Sequence, residues 1–233
     1  MYKKFLFGLI LGNIINYPVH AIAVSSLFEA ADPETGSAEV VIENNDGKDM
    51  FVNLSMVKVE YLDGYKTVTT LNKDNFANWT FSISPSQMIL ADGEKRTIRM
   101  KNLCEGEKCQ LEQDEVYAVD ITPVPYSDGK VSSVSVAFGY RVYFMDPASK
   151  VQLDYEIERI GQTKFRFNNK SNTMLNVVVN TCNKEFSSDC IYQYKLMSGA
   201  NRVFKLPKQL INKPSITMNI INANEEINHE VHI

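Results

Sequence analysis

The sequence predicts an all-β protein made of two sandwich domains, and three observations carry that reading. Apolar residues recur at every second position through most of the chain. Turn-forming clusters separate these runs, and the alternation breaks once at a proline-bearing segment before it restarts.

The alternation is clearest at Val40 and Ile42, at Trp79, Phe81 and Ile83, at Tyr117, Val119 and Ile121, at Leu175, Val177 and Val179, and at Ile216, Met218 and Ile220. A period of two places successive side chains on opposite faces of a strand. No segment of helical length sustains a 3.6-residue period. The intervening clusters Asn44-Asn45-Asp46-Gly47, Asp63-Gly64, Ala91-Asp92-Gly93, Ser127-Asp128-Gly129 and Ser198-Gly199 are turn chemistry. Many short strands at such spacing point to sandwiches. The break falls at Met145-Asp146-Pro147-Ala148, since proline stops a strand ladder and alternation resumes at Val151. It divides the chain into residues 24–146 and 147–233, each of a size that suits an immunoglobulin-like sandwich.

Residues 1–23 read as a secretory signal peptide. Lys3 and Lys4 give a positive end, Phe5 to Ile15 an apolar stretch, and Ala21-Ile22-Ala23 a small-residue cleavage site, with cutting after Ala23 or after Ala21. The apolar stretch is too short to span a bilayer, which takes about 20 residues. Removing residues 1–23 moves the formal charge from −4 to −6, because two lysines and no acids leave. An acidic chain without a basic run is a poor nucleic-acid partner. The 44% apolar content supports folding over disorder, and no later apolar run is long enough to enter a membrane.

Export brings the four cysteines into an oxidising compartment. Three connectivities are open to Cys104, Cys109, Cys182 and Cys190, and proximity favours the two local ones, Cys104–Cys109 and Cys182–Cys190. Each would close a short loop and stiffen a turn. Catalysis is not expected, nor is any cofactor or metal. Beyond the leader the histidines are His229 and His232, and no phosphate loop, nucleophile elbow or Cys-x-x-Cys motif occurs. Three Asn-x-Ser/Thr triplets, beginning at Asn53, Asn78 and Asn169, are of a kind that chance often produces.

One segment departs from ordinary strand length. Val131 to Phe144 alternates over fourteen residues, with Val134, Val136, Phe138, Tyr140 and Val142 on one face and Ser133, Ser135, Ala137, Gly139 and Arg141 on the other. At 3.3 Å per residue it would span about 46 Å. It is either a central strand covered by its own core or an edge that offers its bulky row to another protein by strand addition. Four such side chains would contribute about 1.5 to 3 kcal/mol each on burial, before ordering costs.

With its neighbours, this segment resembles the periplasmic chaperones of the chaperone-usher fimbrial pathway. The stretch from Trp79 through Ser84-Pro85 and Asp92-Gly93 to Met100 is similar to that family's strand, Ser-Pro turn, strand, Gly turn and strand. Glu115 to Ile121 resembles the strand that follows, and Val134 to Phe144 the donor strand. Asn180-Thr-Cys182 through Cys190-Ile-Tyr-Gln-Tyr to Gly199 resembles the disulfide loop of the branch serving colonization-factor and common-pilus fimbriae.

The resemblance implies two immunoglobulin-like domains set at an angle with a cleft between them, a periplasmic location and no catalysis. The partners it implies are fimbrial subunits and an outer-membrane usher. Val134, Val136, Phe138 and Tyr140 would complete an unfinished subunit, and Arg141 would bind its terminal carboxylate through a two-bond fork. Arg99 and Glu115 match positions that join the two domains by a salt bridge. Residues 24–47 contain no Lys or Arg, so a second anchoring cation in the first strand, as the better-known branch has it, is missing; Arg99 or Lys101 stand as substitutes. Unpaired donor edges invite aggregation, so two copies capping each other is a further expectation. The alternative reading is a structural fimbrial subunit or adhesin, which would need an amino-terminal donor extension.

Overall fold

A computed structural model describes residues 22–32, 34–62, 64–103, 110–127, 129–131, 139–182, 188–223 and 225–233. Four sheets make two sandwiches. In the first, one sheet has the order β1 (Ile22–Val24), β3 (Ser37–Asn44), β8 (Lys95–Asn102), β6 (Phe81–Ser84). The facing sheet runs β2 (Phe28–Ala30), β11 (Tyr140–Asp146), β9 (Glu115–Ser127), β4 (Met50–Leu62), β5 (Tyr65–Leu71), with β7 (Gln87–Leu90) added to β4 and β10 (Lys130–Val131) to β9. In the second sandwich, β12 (Tyr155–Ile160), β13 (Lys164–Asn169) and β16 (Asn201–Lys205) face β15 (Ile191–Leu196), β14 (Leu175–Asn180), β17 (Thr217–Asn222) and β18 (Asn228–His232).

Alternation explains the cores. On β8, Ile98 and Met100 point inward and Thr97, Arg99 and Lys101 outward. Val40, Ile42, Phe81, Tyr117, Phe144 and their neighbours close one core, in which Phe81 stacks on Tyr117 with ring centroids 4.6 Å apart. Phe165, Phe167, Val177, Met218 and Ile220 lie at the centre of the other. Helical structure among the described residues is limited to short 3₁₀ segments at Lys73–Asn78, Ser188–Cys190 and Lys208–Leu210.

Cys182 and Cys190 are joined as expected, with Cα atoms 4.8 Å apart. Cys104 and Cys109 lie outside the described residues, as do residues 1–21. Ile22 is buried in the first core, and Ile22–Val24 pairs antiparallel with β3. A leader ending at Ala23 would therefore remove a core side chain, whereas one ending at Ala21 keeps it.

A third apolar cluster joins the sandwiches. The outward face of the first domain's larger sheet contributes Val57, Val59, Val116, Ala118 and Met145, which meet Met174, Met197 and Ala223 of the second. Two further joints fix this contact. The carboxylate of Asp114 is almost fully buried and accepts hydrogen bonds from the Ala148 N–H (2.8 Å), the Met174 N–H (2.6 Å) and the Thr173 hydroxyl (3.1 Å). The β4–β5 turn reaches the turn after β15, where Gly64 bridges Ala200. A Cβ on Gly199 would lie 2.9 Å from the Tyr61 carbonyl oxygen, so backbone approaches backbone there as only glycine allows.

Candidate functional site

The same outward face continues past the joint, where Phe28, Ser55, Asp120, Arg141 and Tyr143 are half-exposed. Strand parity sets its membership: Arg141, Tyr143 and Met145 on β11, opposite Asp120, Ala118 and Val116 on β9, which in turn oppose Ser55, Val57 and Val59 on β4. Phe28 on β2 is the parallel neighbour of Tyr143, and Lys66 on β5 stands opposite Tyr61.

Several cations reach this face, Arg202 of the second domain among them through the Tyr61 hydroxyl at 3.5 Å. Lys66 Nζ donates to the Tyr143 hydroxyl at 2.8 Å and lies 5.1 Å from the centre of that ring. From the second domain, Lys195 Nζ sits over Phe28 at 4.5 Å. Arg141 forks onto Asp120, with Nε 2.5 Å from Oδ1 and the terminal nitrogen 2.7 Å from Oδ2, which holds the guanidinium pKa above its ordinary value.

The edge of β11 remote from β9 is covered only in part. The Tyr143 N–H donates to the Leu27 carbonyl, so odd residues of β11 turn toward β2, and β2 pairs with Tyr143 to Met145 alone. Among the described residues no strand is registered beside Arg141 on that side. The Tyr126 N–H donates to Asp49, so even residues of β9 face β4 and odd ones face the β11 side. There Pro123 and Pro125 bring no N–H to a ladder.

Not every residue expected of the site is placed there. Val134, Val136 and Phe138 lie outside the described residues. Tyr140 is half-buried against the core of its own domain, because even positions of β11 share the inward face with Val142 and Phe144. The Arg99–Glu115 joint is replaced by two other pairs. Arg99 projects from the outer face of β8 onto Glu39 (2.9 Å), and Glu115 binds Lys58 (3.3 Å) and accepts from the Tyr117 hydroxyl (2.5 Å). Arg99 and Lys101 stand on the smaller sheet and do not reach the face that carries Arg141. Lys66, Lys195 and Asp120 were missed because a lone charge in an alternating strand reads as an ordinary solvent-facing position.

A second charged group lies at the joint itself. Asp146, the last residue of β11, opposes Glu115 across the ladder and accepts from the Asn102 side chain. Burial, then Glu115, then Asp114, push its carboxyl up to about 6. Among the described residues no group of His, Cys, Asp and Glu is arranged to hold a metal ion.

Comparison with known proteins places these features. The CS5 fimbrial protein N-terminal domain matches residues 24–147. An Escherichia coli "25.9 kDa protein in CS5 3′region" is 19% identical over 124 residues, and the match covers 52% of this chain and about half, 54%, of that relative's length. Among solved structures, the class 5 fimbriae chaperone CfaA superposes with a TM-score of 0.52 at 14% identity, covering 91% of this chain and 97% of that one. A chain of the CsuC–CsuE chaperone–tip subunit complex from Acinetobacter baumannii gives 0.55 at 11%, over 91% and 98%. The Salmonella enterica complex of SafA pilin with the SafB chaperone gives 0.55 at 12%, over 93% and 97%. At such identities the likeness is one of fold: two β-sandwich domains in the arrangement of these chaperone structures.

Proposed function

The chain belongs to the CS5 fimbrial protein family through its N-terminal domain, and from that premise we propose that it is a periplasmic chaperone for fimbrial subunits. It binds an unfinished subunit by strand addition along β11, completes its sandwich and passes it to an outer-membrane usher without catalysis. The observation that carries this reading is the edge of β11 ahead of Tyr143, beside which no strand is registered among the described residues, and which is continuous in sequence with the apolar row Val134, Val136 and Phe138. An edge with unpaired N–H and C=O groups is a template for a foreign strand. Tyr140 serves its own core, so the donor row ends at Phe138. Pro123 and Pro125 remove two N–H groups from the side of β9 that faces β11.

Arg141 anchors the subunit's terminal carboxylate, with Lys66 and Lys195 as the cations that share its face. The leader ends at Ala21 and directs export, and the domains divide after Asp146, where β11 ends. The test is recovery of a one-to-one complex from the periplasm, with the partner identified by mass. Changing both Val136 and Phe138 to Asp should abolish it while leaving the free protein folded. Undiminished recovery of the complex from that double variant would overturn the reading.

A further inference from the structure

Arg141 is not idle in the free protein, and what occupies it has a consequence for ligand choice. Its partner Asp120 is its direct cross-strand neighbour on β9, and the fork is satisfied at both carboxylate oxygens. An incoming carboxylate using the same two-bond geometry must take the place that Asp120 holds. Both side chains are about one-third exposed, 37% for Arg141 and 30% for Asp120, so the pair can part and re-form at the water boundary without stranding a buried charge.

The surroundings single out Asp120. Among the described residues of this face on β2, β4, β5, β9 and β11 it is the one acid; Glu115 and Asp146 fall on the opposite parity of their strands. Neither lysine neutralises it, since Lys66 is engaged with Tyr143 and Lys195 with Phe28. We infer that Asp120 is an internal competitor for the Arg141 guanidinium, a carboxylate stand-in that lowers the affinity of the cleft for free carboxylates. This rests on the reading of Arg141 as the anchor. A lone anion then gains little by displacing one carboxylate with another, whereas a subunit that also adds its strand along β11 brings the further contacts that make the exchange favourable. Asp120 thereby makes carboxylate recognition conditional on strand addition.

The experiment uses the full chain, ¹⁵N-labelled, with sodium acetate as probe, acetamide as its neutral counterpart and ionic strength held constant with sodium chloride. The Arg141 Nε–Hε signal, assigned by its loss in Arg141→Lys, reports occupancy. Asp120→Asn should lower the half-saturating acetate concentration at least fivefold, the equivalent of about 1 kcal/mol. Asp120→Glu should restore weak binding, Glu115→Gln should change nothing, and acetamide should leave the signal in place throughout. A response to acetate that is the same in Asp120→Asn and the parent would overturn the competitor role and leave the anchor standing. An equal gain in Glu115→Gln would reduce the effect to net charge and also overturn it. If acetate fails to move the signal in any of the proteins, the anchor assignment itself falls, and the inference with it.

Discussion

Replacing Asp146 with Asn should stabilise the protein at neutral pH and remove a pH dependence that the parent shows. The carboxyl sits at the joint between the domains, opposite Glu115 and near Asp114, and is half-buried. Its folded pKa of about 6 lies above the ordinary 3.8, so the folded state keeps a proton that the unfolded chain surrenders. The contribution of Asp146 is therefore fully present below about pH 3.8 and is lost as pH rises through 6. A shift of about two units corresponds to about 3 kcal/mol if felt in full. Partial exposure and screening reduce this to about 1 kcal/mol. Asparagine has the same shape, carries no charge and can still accept from Asn102. Urea unfolding followed by the fluorescence of Trp79, the one tryptophan of the chain, reads the first domain at pH 4, 5, 6 and 7.5. The variant should gain about 1 kcal/mol relative to the parent between pH 4 and 7.5. Stability curves that run parallel across that window would refute the assignment.

Asp114→Ala removes, from the first domain, the acceptor of three buried donors of the second, at an expected cost of about 3 kcal/mol, and calorimetry should show the two domains melting apart. A single unshifted transition would mean that the clamp does not couple them. Gly139→Ala places a Cβ 2.6 Å from the Ile121 carbonyl oxygen, where only backbone movement relieves the contact. The first domain should lose about 1 to 3 kcal/mol, seen as a lower Trp79-monitored melting temperature, and an unchanged midpoint would count against the close approach.

The sandwiches were legible because a half-buried strand writes its own face into the sequence: Ile98 and Met100 alternate with Thr97, Arg99 and Lys101 just as the sheet requires. The Cys182–Cys190 loop was legible for the same local reason. What could not be read was which face of which sheet would meet the second domain. Val57, Val59 and Val116 look like any core residues, yet they serve the joint between domains and not the sandwich interior. Arg99 and Arg141 look alike in their alternating strands, and only the sheet order puts one outside and the other on the face that continues past the joint. Asp114 lies within Glu112-Gln113-Asp114-Glu115, a run that reads as solvated charge until its donors arrive from Ala148, Thr173 and Met174.

The distribution of charge then bears on what the molecule attracts. Without residues 1–21 the chain is formally −6, and on net charge alone an acidic terminus should be repelled. Surface charges more than about 10 Å apart are largely screened at physiological salt, so a ligand responds to the patch it approaches and not to the total. The acids nearest the cleft are committed elsewhere: Asp114 to backbone donors, Glu115 to Lys58 and Tyr117, and Asp146 to Asn102. On the outward face of the larger sheet, Lys66, Arg141, Lys195 and Arg202 stand near Asp120, the one acid that the described residues of β2, β4, β5, β9 and β11 place there, so positive charge is in local excess. That excess adjoins the part of β11 beside which no strand is registered among the described residues, so on the proposed reading a carboxylate at the end of an extended strand would meet both kinds of complementarity together. A compact anion meets only the first, already contested by Asp120.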